Sequence, residues 1–288
     1  MTATDLGGGR TYALQYVHEI DGRISWFAED VRGFAPSNNY LVRTDAGSLL
    51  IDTGLAADRQ DVLADIAALV SADEELSVLL LRMSEFDSTQ NLVEIEDLHT
   101  ISRIYSTFED APMWGAYSTE DEVLNAHHRA RLHRIGVNMI RGVEYIELGG
   151  RRLKLIRPLL RLLPTYWVYD EDARMLYTSD SFGHVVSGGT DGALEVDPDA
   201  DPTTVEDVLR HLVGTRYWWL PTAATSLIRD DVRRIFAEHD VHTIAPARGG
   251  LIRGKEAVDR HVVLLDEALA GLGHADAEVL AAANRRSW

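Results

Sequence analysis

Apolar and polar residues alternate from Tyr12 to Trp26, and this period of two predicts paired strands. Two apolar runs, Asn39 to Thr44 and Ser48 to Asp52, flank Asp45-Ala46-Gly47. They predict a hairpin whose glycine supplies the tight turn. Between Asp58 and Val70 the apolar positions Val62, Leu63, Ile66, Leu69 and Val70 fall at helical spacing, which predicts an amphipathic helix packed on that sheet. Leu76 to Leu81 is apolar apart from Ser77 and reads as a buried strand. From Leu92 the order loosens: a helical turn to Leu98, a strand at Thr100 to Tyr105 and a polar helix at Thr119 to Arg134. Hairpin-like pairs follow at Tyr145 to Leu148 with Arg152 to Ile156, and at Tyr166 to Tyr169 with Met175 to Thr178. A Gly- and Asp-rich loop spans Ser187 to Pro202. Helices are predicted at Thr203 to Val213 and Ile228 to His239, a strand at Thr243 to Ala245, and helices from Lys255 onward. This order implies one α/β domain with sheets inside and helices outside, spanning 12–265. A flexible lead, 1–11, precedes it and a helical extension, 266–288, follows.

Composition narrows the function classes. The 288 residues are 45% hydrophobic, enough for a substantial core. With 46 acidic residues against 28 Lys and Arg, the formal charge is −18, which disfavours attraction to nucleic acid or anionic membrane. Zero cysteines exclude disulfides, thiolate metal sites and thiol nucleophiles. The N-terminal residues lack the basic start and apolar core of a signal peptide, and no apolar run approaches bilayer-spanning length. The expected location is cytoplasmic. No Gly-x-Gly-x-x-Gly fingerprint, Walker loop, Gly-x-Ser-x-Gly elbow or zincin helix is present.

The stretch with most chemical content is Leu79 to Asn91, LLLRMSEFDSTQN. An apolar strand ends there in alternating polar residues, as before a metal-binding loop, yet the loop has no histidine.

The succession of hairpin, Asp52-Thr53-Gly54, helix, apolar strand and acidic loop resembles the metallo-β-lactamase fold, an αββα sandwich of two mixed sheets flanked by helices. Within it the chain resembles the diiron branch of flavodiiron and oxygen-binding diiron proteins. Asn38 to Val42 followed by Ile51 to Gly54 resembles that branch's Asn-x-Tyr-Leu-(Val/Ile) and Asp-Thr-Gly segments. Leu148 to Leu153 resembles its Leu-Gly-Gly-(Lys/Arg)-x-Leu hairpin. Ser179-Asp180-Ser181-Phe182-Gly183 resembles its bridging-ligand turn with one spacer residue fewer, and Pro246-Ala247-Arg248-Gly249 resembles its Pro-Ser-His-Gly turn. These landmarks run from about Tyr12 to His261.

The resemblance implies ligand positions, and their occupants are unusual. The family loop His-x-Glu-x-Asp-His is matched by Met83, Ser84, Glu85, Phe86, Asp87 and Ser88, so both carboxylates stay and both histidines are gone. The next ligand histidine falls on Arg161, or one residue away. The bridging carboxylate is Asp180, and the last histidine is replaced by Arg248. Iron or zinc centres of this kind need neutral imidazole nitrogens, whereas arginine stays protonated and offers no lone pair. The implied picture is charge replacement, with Arg161 and Arg248 neutralising Glu85, Asp87 and Asp180. His184 is a candidate to orient Asp180. No metal is expected; a hard Mg²⁺, Mn²⁺ or Fe ion on Glu85, Asp87 and Asp180 is the alternative.

Ordinary readings stand beside these. Alone, Glu85 and Asp87 read as solvated loop residues, Arg161 as a side chain reaching the surface along its stem, and Arg248 as a group for a phosphate or carboxylate ligand. Met83 reads as packing. His127, His128 and His133 are interleaved with Arg129, Arg131 and Arg134, which suits a solvated helix face better than a metal. Tyr217-Trp218-Trp219 and Tyr166-Trp167 read as core first and as pocket or interface second. The flavodoxin domain that follows the sandwich in flavodiiron proteins is not expected in a chain ending at Trp288. The function expected is ligand binding, regulation, scaffolding or non-metal chemistry by a metal-free relative. The alternatives are a metal-dependent hydrolase or oxidoreductase with a carboxylate-only site, and a diiron protein reacting with oxygen or nitric oxide. A small-molecule ligand and, by analogy with the diiron branch, a homodimer are the expected partners.

Overall fold

The computed structural model describes residues 3–82, 85–117, 122–162, 164–190, 194–197 and 199–272. Two mixed sheets of seven and six strands are flanked by helices, an α/β architecture consistent with the metallo-β-lactamase-like fold. The chain divides into two compact units: 1–17, 36–156 and 164–173 form one, and 18–35, 157–163 and 174–288 the other.

The first sheet has the strand order β1 (Ala3–Gly7), β2 (Thr11–Ile20), β3 (Gly33–Thr44), β4 (Gly47–Ile51), β5 (Leu76–Leu80), β6 (Ile101–Ser106) and β7 (Val137–Met139). The hairpin expected at Asp45-Ala46-Gly47 joins β3 to β4 antiparallel, with Tyr40 opposite Ile51. From β4 to β7 the pairing is parallel, so the connections are crossovers. They carry α1 (Arg59–Leu69), α2 (Phe86–Thr89), α3 (Leu92–Leu98) and α4 (Glu122–Ile135). Leu14, Leu41, Leu50, Val78, Leu80, Val62, Ile66, Leu92, Ile95 and Ile104 form the core of this unit.

The second sheet runs β13 (Ile252–Arg253), β12 (Thr243–Pro246), β11 (Met175–Ser179), β10 (Trp167–Asp170), β9 (Arg151–Ile156), β8 (Tyr145–Leu148). Strands β8, β9 and β10 pair antiparallel, while β11 and β12 are parallel. Helices α5 (Val205–Gly214), α6 (Thr225–Glu238) and α7 (Lys255–Leu272) belong to the second unit. They bury Val208, Leu212, Val232, Ile235, Leu265 and Leu269. No helix among the described residues is long and apolar enough to cross a membrane.

Several sequence expectations change. Ala3–Gly7, inside the stretch expected to be a mobile lead, is a strand with Thr4 opposite Ala13 in β2. Strand β7 lies where none was anticipated. Of the expected C-terminal helical extension, residues up to Leu272 continue α7 and 273–288 lie outside the described residues.

One buried ion pair ties distant segments of the first unit. The Arg151 guanidinium grips Asp170 through Nε at 3.0 Å and through Nη2. It also donates to the Arg10 carbonyl at 3.2 Å and to Thr11 Oγ1 at 2.7 Å.

Candidate functional site

In an open α/β sheet the chemistry collects beyond the carboxyl ends of parallel strands. Both units follow that rule with the same pairing, an acid after one strand and an arginine after its parallel neighbour.

In the first unit, β4 ends at Ile51 and β5 at Leu80, side by side. Asp52 follows β4 with φ of 60°, and its amide donates to the Leu79 carbonyl at 2.9 Å. Its carboxylate accepts from the Leu81 amide at 2.9 Å and from Arg82 Nε and Nη2, each at 3.1 Å. The Ser88 hydroxyl also donates to it. The remaining arm of Arg82, Nη1, reaches Asp87 Oδ2 at 2.6 Å. Asp52, Arg82 and Asp87 are each about 2% exposed or less, so one guanidinium serves two acids in a region closed to water. Burial pushes the Asp52 carboxyl up from its ordinary range, against the pull of Arg82 and the Ser88 hydroxyl. Below this cluster Asn91 locks the Asp-Thr-Gly turn, donating to the carbonyls of Thr53 at 3.0 Å and Leu55 at 2.9 Å. The half-buried Glu85 precedes α2, its amide donating to the Arg82 carbonyl at 3.2 Å. Met83 and Ser84 lie outside the described residues.

In the second unit, β11 and β12 end side by side, with Ser179 opposite Pro246. Asp180 follows the first and Arg248 the second, and Arg248 Nη1 donates to Asp180 Oδ1 at 3.0 Å. Both are under a tenth exposed. Two glycines permit this approach. A Cβ on Gly183 would stand 2.9 Å from the Arg248 carbonyl oxygen, and one on Gly249 would stand 2.7 Å from that of Gly183. The two turns are therefore in backbone contact, where any side chain would wedge them apart. The acid's turn is also strained: Ser179 and Phe182 have φ of 56° and 64°. With Asp52 they make three of the four non-glycine positive φ values among the described residues, and such strain concentrates at functional positions. The Arg248 guanidinium lies 5.2 Å from the Trp26 ring centre. Ser181 and Tyr217 bond hydroxyl to hydroxyl at 2.8 Å. Burial pushes the Tyr217 phenol upward, and the Asp180 charge adds to that.

The sequence-derived residues thus separate into what is paired and with whom. Asp180 and Arg248 meet. Asp87 meets Arg82, which sequence reasoning passed over; the only local signal is that a charge closes the apolar run of β5. Arg161 is half-buried, and its Nη1 donates to the Pro158 carbonyl. His184 does not hydrogen-bond Asp180; its Nε2 lies 2.8 Å from His261 Nδ1. The histidine on which Asp180 acts is instead His211, under a tenth exposed. Burial brings it down to about 4, although the Asp180 main chain and carboxylate pull the other way. His127 and His133 are exposed. Among the described residues no group of three or more His, Asp or Glu side chains could hold a metal ion.

Comparison with known proteins places the fold. No protein-family model matches the chain, and no curated protein does. Solved structures do. The flavodiiron protein from Giardia intestinalis superposes with a TM-score of 0.65 at 16% identity over 94% of this chain and 60% of that one. A fragment of diflavin flavoprotein A 5 from Nostoc gives 0.63 at 17%, covering 95% of each. Rubredoxin oxygen:oxidoreductase from Desulfovibrio gigas gives 0.62 at 16%, covering 93% of this chain and 61% of that one. The chain therefore has the fold of the flavodiiron core, a metallo-β-lactamase-like domain. It spans about three fifths of the length of the Giardia and Desulfovibrio proteins.

Proposed function

We propose that this chain is a metal-free relative of the diiron sandwich that binds a ligand or partner, rather than a diiron oxidoreductase. One observation carries the reading: acids aligned with iron ligands are held by arginines. Asp87 is 2.6 Å from Arg82 Nη1 and Asp180 is 3.0 Å from Arg248 Nη1. A guanidinium cannot donate a lone pair, and a second cation beside it would meet strong repulsion at low local dielectric. The residues present do not fit a pair of iron ions. The same charges disfavour a single hard cation on Asp87 or Asp180, which would sit beside a guanidinium already holding one oxygen of the acid.

Breaking such pairs to admit a metal would strand the arginines as unpaired buried charges, a penalty of about 3–5 kcal/mol each. Elemental analysis of the protein purified without added metal tests this. Iron, zinc and manganese are expected well below one equivalent per chain. Iron near two equivalents, as about two bound ions per chain would give, overturns the reading.

A further inference from the structure

A cavity with a volume of 370 Å³, a size that suits a small molecule, lies within the second unit, with His211 in its lining. Phe27, Val31, Val186 and Pro202 make its apolar wall. Its charged lining is balanced, Asp30 and Asp207 against Arg32 and Arg210. Asp207 is committed to capping α5, accepting from the Thr204 amide at 2.9 Å and its hydroxyl at 2.7 Å. Arg32 Nη1 donates to the carbonyls of Glu29 at 2.6 Å and Val31 at 2.8 Å.

His184 also lines the cavity, and behind it runs a line of buried polar groups. His184 Nε2 is 2.8 Å from His261 Nδ1, and His261 Nε2 is 3.0 Å from Asp201 Oδ2. The carboxylate fixes every proton in this line. Partial burial opposes ionisation of Asp201, but hydrogen bonds from Thr203 together with His261 and the Arg260 charge hold the acid below its ordinary range. As an anion it accepts only, so His261 Nε2 must carry hydrogen. Burial, with Arg260, outweighs the upward pull of Asp201 and lowers His261, so the neutral ring presents its Nδ1 as an acceptor. His184 Nε2 then carries hydrogen and donates to it. Nδ1 of His184 is left with a free lone pair on the side of the ring away from His261.

We propose that this cavity binds a small hydroxyl-bearing molecule of no net charge, with an O–H donating to His184 Nδ1. The line through His261 to Asp201 fixes the tautomer and ring orientation that make His184 an acceptor. The charge balance of the wall gives polyanions such as nucleotides no net attraction, and the apolar patch suits the C–H faces of a hydroxyl-bearing molecule. This inference does not depend on the metal content of the chain.

Nitrogen NMR of the full-length protein labelled with ¹⁵N-histidine reads the tautomer directly. His184 should show an unprotonated Nδ1 and a protonated Nε2 at neutral pH; a protonated Nδ1 overturns the proposal. Xylitol, with acetate and methylammonium as charged controls, is then titrated into the same sample. A saturable xylitol shift at His184 Nδ1 is expected, and none from either ion. No saturable shift with xylitol, or one only with an ion, overturns it. His261→Phe removes the acceptor for His184 Nε2 and should weaken xylitol binding about tenfold; unchanged affinity would remove the His261–Asp201 line from the site.

Discussion

Two carboxylates, Asp52 and Asp87, share the single guanidinium of Arg82 with all three side chains buried, so removing that cation leaves two acids facing each other. Arg82→Ala should cost about 3–5 kcal/mol, measured as a lower urea midpoint at unchanged slope. Arg248→Ala exposes one acid to the same loss and should cost about 3 kcal/mol, part of it recovered by adding Asp180→Asn. A change within about 0.5 kcal/mol in either single variant would mean that water reaches the pair. His211 sets a pH dependence of known sign. The unfolded chain takes up a proton near 6.5, which the folded chain resists down to about 4. Stability is therefore complete above that upper value and falls by about 3 kcal/mol as pH drops through the window. Burial lowers His184 and His261 as well, so they add to the same fall. Urea midpoints across this range should drop steeply in the native protein and less steeply in His211→Asn. Arg248 was legible because a turn of Pro-x-x-Gly form surrounds it. Arg82 was not, because it stands just outside the His-x-Glu-x-Asp-His-like positions Met83 to Ser88, and nothing adjacent in sequence marks its partner Asp52. The line from His184 to Asp201 passes through His261, which is 77 residues from the first and 60 from the second, and no local pattern announces it.

At the level of elements, α5 presents Arg210 and His211 to the cavity from a helix whose start is fixed by side chains. Thr204 and Asp207 form a reciprocal cap, the Thr204 oxygen accepting from the Asp207 amide at 3.2 Å. Thr204→Ala should cost about 1 kcal/mol, and a thermal melt of the variant checks it; an unchanged midpoint would show that tertiary packing alone sets the helix start. The helices and buried strands were readable because their apolar spacing is forced by a core on one side or both. Strand β1 was not, since it is short, contains no fully buried residue and sits at a sheet edge, where hydrogen bonding to β2 rather than burial defines it. Glycine in Gly7-Gly8-Gly9 pointed to a flexible lead, and instead Gly8 and Gly9 take positive φ in the turn from β1 to β2.

Over the whole molecule the acid excess acts against compactness. A formal charge of −18 is felt over about 30 Å at 0.01 M salt and only about 8 Å at 0.15 M. The melting temperature should therefore rise by about 2–4 °C between those two salt concentrations; a fall would show that ion pairs such as Arg229 with Asp266, 2.9 Å apart, outweigh the net repulsion. The sandwich itself was legible from ordered landmarks spread along the chain, each a turn whose backbone demands particular residues. Arg151 adds a constraint in time. It anchors residues 10 and 11 together with Asp170, so a ribosome must add about 160 residues before the amino-terminal hairpin finds its last partners. At about 5–20 residues per second that is a wait of roughly ten to thirty seconds, during which the first strands to be made depend on chaperones or on their own polarity to stay out of trouble.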